Sequence, residues 1–121
     1  LKGVFVKATF DRRGAIAIVT MHGSLIDSAA SEFREDIENY ASKNDGIVDW
    51  VLDLNELAFL DSAGLGVLVA FLKRVAAKGG DIKIARLQKK VRMVFQITRA
   101  FRVFQAFDTI EEAMAACGKN R

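Results

Sequence analysis

A carboxylate, a hydroxyl and two glycines fall within six residues in Asp61-Ser62-Ala63-Gly64-Leu65-Gly66, at the mouth of an apolar run that continues to Leu72. At the start of a helix these residue types have two uses. Asp61 or Ser62 can accept a hydrogen bond from a free amide of the first turn, worth roughly 1 kcal/mol. Gly64 and Gly66 then let that turn pack closely against another segment. A serine there also suits phosphorylation, because the phosphate's charge of about −1.5 to −2 meets the positive end of the helix dipole. Asp61 beside it would repel the new charge and sharpen the change that a partner senses. On the residues alone, capping is the favoured use.

Other constellations offer little chemistry. His22 is the sole histidine. A catalytic triad would have to combine it with Ser24, Ser28 or Ser62, and no spacing supports that. One histidine cannot build a histidine-rich metal site. Gly64-Leu65-Gly66 lacks both the third glycine of a dinucleotide fingerprint and the lysine of a phosphate loop. Cys117, the sole cysteine, cannot form an internal disulfide and has no metal-ligand spacing. No catalytic residue, metal or cofactor is expected, and a reducing, cytoplasmic setting fits the cysteine usage.

The formal net charge of +3 hides an asymmetry. Residues 1–60 hold ten acids against six bases, and residues 61–121 hold five against twelve. No acid occurs from Ile82 to Phe107, a stretch carrying Lys83, Arg86, Lys89, Lys90, Arg92, Arg99 and Arg102. It could face nucleic acid, anionic lipid or an acidic protein. No aromatic stacking platforms interleave the bases, so a solvated basic face is the favoured reading.

The elements that must position the motif follow from patterning. With 121 residues, 51 % of them apolar, the chain reads as one domain over residues 1–121 with a core of its own. Gly64 to Leu72, the longest apolar stretch, is too short to span a bilayer. The N-terminus lacks the pattern of a secretory signal, while Leu1 in place of methionine leaves room for a longer chain. Val4 to Thr9 and Ala15 to Met21 predict an antiparallel hairpin turning at Asp11–Gly14. A helix after Gly23, capped by Asp27 or Ser28, would bury Ala30, Phe33, Ile37 and Ala41 and stop at Asn44-Asp45-Gly46.

Ile47 to Leu54 shows little alternation and predicts a strand covered on both faces. Asn55 to Leu60 reads as a loop. The motif then opens a helix to Lys78, ended by Gly79-Gly80. Leu65, Leu68, Val69, Leu72 and Ala76 form one apolar face of it, and Val67, Phe71 and Val75 a second, which predicts a helix packed on several sides. Ile82, Ile84 and Ala85 predict a strand. Val91, Val94, Phe95 and Thr98 line a short basic helix, and Val103 to Phe107 a last strand. In the terminal helix, Thr109 and Glu112 have capping-box spacing. Strands alternating with helices predict an α/β fold with a four- to five-stranded mixed sheet and about four helices. Loops at the carboxyl ends of its strands would bring Gly23-Ser24 beside Asp61-Ser62.

Taken with Leu57-Ala58-Phe59-Leu60 before it, the motif Asp61-Ser62-Ala63-Gly64-Leu65-Gly66 resembles the signature of the STAS domain family. That family includes bacterial anti-sigma factor antagonists and the cytoplasmic tails of sulfate transporters. Gly79-Gly80, Val91-Arg92-Met93-Val94-Phe95 and Glu111-Glu112-Ala113 sit in the family's order. The resemblance implies an antagonist that is a substrate and a binder, not an enzyme. Its serine at Ser62 would be phosphorylated by an anti-sigma factor, a kinase of the histidine-kinase-like ATPase fold, and a phosphatase would reset it. Unphosphorylated antagonist binds the anti-sigma factor and frees the sigma factor, thereby regulating transcription. Ser24, Asp27, Asp61, Ala63, Gly64, Leu65 and Gly66 would form the docking patch, with no direct nucleic-acid contact; the residues leave the oligomeric state open, a weak homodimer among the options.

Two departures from the family pattern bear on the partner. Gly23-Ser24-Leu25-Ile26, with Asp27 one step later, replaces the glycine-glutamate-leucine-aspartate of many antagonists. Thr98-Arg99-Ala100 replaces threonine-glycine-leucine. The rival readings are a STAS module of a transporter, lipid-transport complex or signalling assembly, and an anionic-ligand module using Lys83–Arg102.

Overall fold

The structure, a computed structural model, describes residues 6–119 apart from the side chain of Ser28. β1 (Val6–Arg13) and β2 (Ile16–Leu25) pair antiparallel. The turn is tighter than the sequence suggests, with only Gly14 and Ala15 between the strands. Gly14 takes its first central place at φ 62°, as a two-residue hairpin turn with glycine there requires. Asp11, Arg12 and Arg13 therefore belong to β1, while the predicted strand residues Val4 and Phe5 lie outside the described residues. β2 runs on through Gly23 and Ser24 to Leu25, where a loop was expected.

β3 (Asp49–Asp53), β5 (Ile82–Ala85) and β6 (Gln105–Phe107) continue the sheet in parallel, in the order β1-β2-β3-β5-β6. Every residue of β3 and β5 is buried, as an unalternating apolar strand between two helical layers must be. The segment expected as the loop Asn55–Leu60 holds a further strand, β4 (Leu57–Leu60), bringing the total among the described residues to six. It pairs in parallel with the last residues of β2, Ser24 against Phe59 and Leu25 against Leu60, with a register irregularity at Gly23/Ser24. Four residues beside a bulge leave too little periodicity to announce a strand.

Helices cover both faces. α1 (Asp27–Lys43) buries Ala29, Phe33 and Ile37 and stacks Tyr40 on Phe10 at 4.4 Å between ring centroids. Its stripe thus starts one residue before the expected Ala30, and Ala41 is exposed. The spacing 29-33-37-40 tracks a 3.6-residue turn better than one ending at Ala41. α2 (Ser62–Ala77) buries Gly64, Leu68, Phe71 and Val75, with Leu65, Val67, Val69 and Leu72 half-buried on either side. The two expected apolar faces are therefore one broad stripe, and Phe71 meets Trp50 of β3 edge-on at 5.0 Å.

α3 (Lys89–Ile97) anchors through Val91 and Phe95. Thr98 does not line it but stands exposed at its end, donating its hydroxyl to the Val94 carbonyl at 2.6 Å. α1, α2 and α3 share one core with the inward residues of β2, β3 and β5. α4 (Ile110–Ala116) packs Ala113 on Ile18, Val51 and Ala85 at the opposite face. Thr109 caps it as the spacing predicts, accepting the Glu112 amide at 3.0 Å. Among the described residues no helix is long and apolar enough to cross a membrane.

Candidate functional site

The site is assembled around Asp61. Its extended backbone makes it the cap residue of α2, and Oδ1 accepts the Gly64 amide at 2.8 Å. Oδ2 accepts the amide of Asp27 at 3.2 Å. Its own amide donates to the Leu25 carbonyl at 3.3 Å. The carboxylate thereby joins the first turns of α1 and α2, and the amide of the same residue ties them to the end of β2. This corrects the expected cap of α1: the cap position is Ile26, without a side-chain bond. Asp27 contributes its backbone donor instead of a side-chain acceptor. The side chain of Ser28, the alternative, lies outside the described residues.

The glycines divide in role. A Cβ on Gly64 would stand 2.0 Å from the Leu25 carbonyl oxygen, so β2 and α2 touch backbone to backbone there. Gly66 has nothing within 4 Å of such a Cβ and is exposed, which corrects the expectation that it too serves close packing. Asp61 supplies the cap, and Ser62 is left as an exposed first residue of α2. Ala63 and Leu65 are half-buried beside it. Ser24 arrives through the β2–β4 pairing and Asp27 through its bond to Asp61, so every residue of the expected patch lies at this corner. Phe59 joins them unforeseen, 46 % exposed opposite Ser24. Its signal was an aromatic side chain three residues before Ser62, in a segment read as a loop.

Because Asp61 serves two helices, removing it should matter more than removing its neighbour. Asp61→Ala is expected to lower the unfolding free energy by about 2 kcal/mol, the loss of a cap and a second charge-assisted bond. Ser62→Ala should change it by less than about 0.5 kcal/mol, as exposed substitutions do. Urea denaturation of both variants checks the assignment.

The basic stretch is only partly available to an outside anion. Lys83 is 5 % exposed, donating to Asp81 Oδ2 at 2.8 Å and Gln105 Oε1 at 3.1 Å. Arg86 clamps Asp53 with Nε–Oδ1 at 2.9 Å and Nη2–Oδ2 at 2.7 Å. Those hydrogen bonds raise the Arg86 pKa above its ordinary value, against an opposing effect of burial. Lys89, Lys90, Arg92, Arg99 and Arg102 remain on α3 and the turn after it. His22 sits in the β1–β2 ladder opposite Lys7. Among the described residues no group of three or more side chains is placed to hold a metal.

The chain thus combines a mixed sheet with a capped, serine-bearing turn at the end of its parallel strands. The STAS domain family model matches residues 7–113, and the chain belongs to that family. In sequence it is similar to BtrV of Bordetella bronchiseptica, provisionally named an anti-sigma factor antagonist. The two are 28 % identical over 111 residues, covering 92 % of this chain and 94 % of the relative. Its fold is similar to that of an anti-sigma factor antagonist from Mycobacterium paratuberculosis, with a TM-score of 0.79, 18 % identity and 92 % of each chain covered. The antagonist SpoIIAA in its unphosphorylated form matches with a TM-score of 0.74 at 20 % identity, over 89 % of this chain and 93 % of the other. SpoIIAA of Bacillus also has a structure in the phosphorylated form.

Proposed function

We propose that this chain is an anti-sigma factor antagonist whose binding to its anti-sigma factor is switched off by phosphorylation of Ser62. The observation that carries the reading is the exposed hydroxyl of Ser62 on a turn that Asp61, not Ser62, holds in place. A phosphate can be added and removed there without disturbing the cap. The anti-sigma factor is a kinase of the histidine-kinase-like ATPase fold, and a phosphatase reverses the step. The existence of phosphorylated and unphosphorylated SpoIIAA structures supports this assignment.

The proposed docking patch consists of Ser24, Asp27, Ala63, Leu65 and the bare, exposed Gly66, with Gly64 and Asp61 beneath and exposed Phe59 at its border. Its first helical turn carries no acid, so an added phosphate sets a new charge beside the Asp61 carboxylate and in the path of a partner. The dianion must also be desolvated on docking, which costs affinity unless the partner offers cations.

The test measures binding to the cognate anti-sigma factor together with intact mass after incubation with ATP. Ser62→Asp is expected to weaken binding at least tenfold, about 1.4 kcal/mol, with the fold unchanged by circular dichroism. Ser62→Ala should bind as the unsubstituted chain does and gain no phosphate. Equal affinity of all three proteins, or a phosphate on the Ser62→Ala variant, would sink the reading.

A further inference from the structure

We infer that β1 is a self-recognition edge, through which two copies of this chain pair antiparallel about a two-fold axis at Thr9. Among the described residues β1 pairs with β2 alone, so its other side is an open strand edge. The two-residue turn closes on the Arg13–Ile16 pair. In such a hairpin the closing pair exchanges both backbone hydrogen bonds, and the pattern recurs at every second residue. Asp11, Thr9 and Lys7 therefore direct their N–H and C=O groups to β2. Val6, Ala8, Phe10 and Arg12 direct theirs to the open edge.

A second β1 must set those four residues against one another, which five registers centred between Lys7 and Asp11 can do. The side chains of Lys7, Thr9 and Asp11 are all exposed, on one face of the strand. Centring on Lys7 or Asp11 opposes like charges directly, and centring on Phe10 sets Lys7 against the partner's Arg13. Centring on Ala8 pairs Lys7 with a threonine. Centring on Thr9 alone places Lys7 against the partner's Asp11, twice by symmetry, and Ala8 against the partner's Phe10. Opposite charges facing across an antiparallel pair are stabilising and like charges the reverse, so the strand's own charge order selects this register.

α1 carries the same complementarity beside the edge. A groove of about 620 Å³ lies between β1 and α1, with Glu32 and Asp36 on one stretch of the helix and Lys43 two turns further on. A two-fold axis reverses the partner's groove and brings its Lys43 toward Glu32 and Asp36. One strand pair and its flanks make a small interface, at the low end of those that hold stable complexes, so the dimer is weak and depends on concentration.

The experiment uses the full chain with Cys117→Ser, so that an introduced cysteine is alone. A non-hydrogen-bonded antiparallel pair holds its Cα atoms about 4.5 Å apart, within disulfide reach. Thr9→Cys is expected to oxidise readily to a covalent dimer, whereas Arg13→Cys on the same strand should not. In sedimentation equilibrium without added cysteines, Asp11→Lys should weaken association at least tenfold. The reversed pair Lys7→Asp with Asp11→Lys should restore it, which a folding defect would not do. A chain that stays monomeric at every concentration overturns the proposal. So does equal crosslinking at positions 9 and 13, or a reversed pair that fails to restore association.

Discussion

Gly64→Ala should lower the unfolding free energy by about 3 kcal/mol, while Gly66→Ala, two residues on in the same helix, should raise it by about 0.5–1 kcal/mol. The opposite signs follow from what each added methyl meets. At Gly64 it would lie 2.0 Å from the Leu25 carbonyl oxygen, 2.9 Å from its carbon and 3.0 Å from Leu60 Cδ1. The carbonyl is backbone at the end of a paired strand, so no rotamer change relieves the clash. Either α2 lifts from β2 or the strand end shifts, and both movements strain the Gly64 amide's bond to Asp61. At Gly66 the methyl enters open space and only supplies the helix propensity that glycine lacks. Urea denaturation with unchanged m-values would show both effects. A Gly64→Ala loss below about 1 kcal/mol would mean that the helix seats less closely on β2 than the distances state. Gly66→Ala also probes the proposed docking patch, where a methyl that raises stability yet weakens partner binding marks a surface kept bare for contact.

The contrast between these glycines shows where reading the sequence reached its limit. Both stand beside Leu65 with equal claim to close packing, and nothing within the motif separates them. Leu25, whose carbonyl decides the matter, is 39 positions away from Gly64 and is brought there by the β2–β4 pairing. Periodicity revealed β3 and the broad burial of α2 because long apolar runs carry their own signal. β4 was illegible because it is four residues long and begins beside a bulge. The cap of α1 was illegible for a related reason. A local reading looks for an acceptor at Asp27 or Ser28, and the acceptor is Asp61, at the end of the neighbouring strand β4. The basic stretch misled in the same way. Lys83 and Arg86 look like free cations in sequence, yet their acids Asp81 and Asp53 lie before Ile82, where counting charges within the stretch stops.

The Arg86–Asp53 clamp carries the other large expected effect. Asp53 accepts four hydrogen bonds, two from Arg86, one from the Thr20 hydroxyl at 3.3 Å and one from the Asn55 amide at 3.2 Å. Its side chain is 2 % exposed, against 40 % for Arg86. Removing the cation leaves a buried carboxylate with two neutral donors, and breaking such a pair from one side costs about 3–5 kcal/mol. Water can enter the space left by the half-exposed guanidinium, so Arg86→Ala is expected at the low end, about 3 kcal/mol. Part of that clamp's work is to hold Arg86 at φ 60°, a left-handed conformation that costs an L-residue about 1–2 kcal/mol. Its amide is fixed by the Phe107 carbonyl at 2.9 Å. Arg86→Gly, which loses the pair but relieves the strain, should therefore be about 1 kcal/mol more stable than Arg86→Ala. The pH dependence has a definite sign. A base whose pKa is raised on folding contributes stability that persists below its unfolded pKa and fades only as pH climbs through the folded value. For Arg86 that value is raised above the ordinary guanidinium range by its hydrogen bonds to Asp53, so the clamp survives alkaline titration. Arg86→Lys replaces the fork by a single ammonium that loses its charge near pKa ~10.4. The stability difference between Arg86→Lys and the unsubstituted chain should widen as pH rises through that range, and a constant difference would show that the second prong, not the charge, is what Asp53 requires.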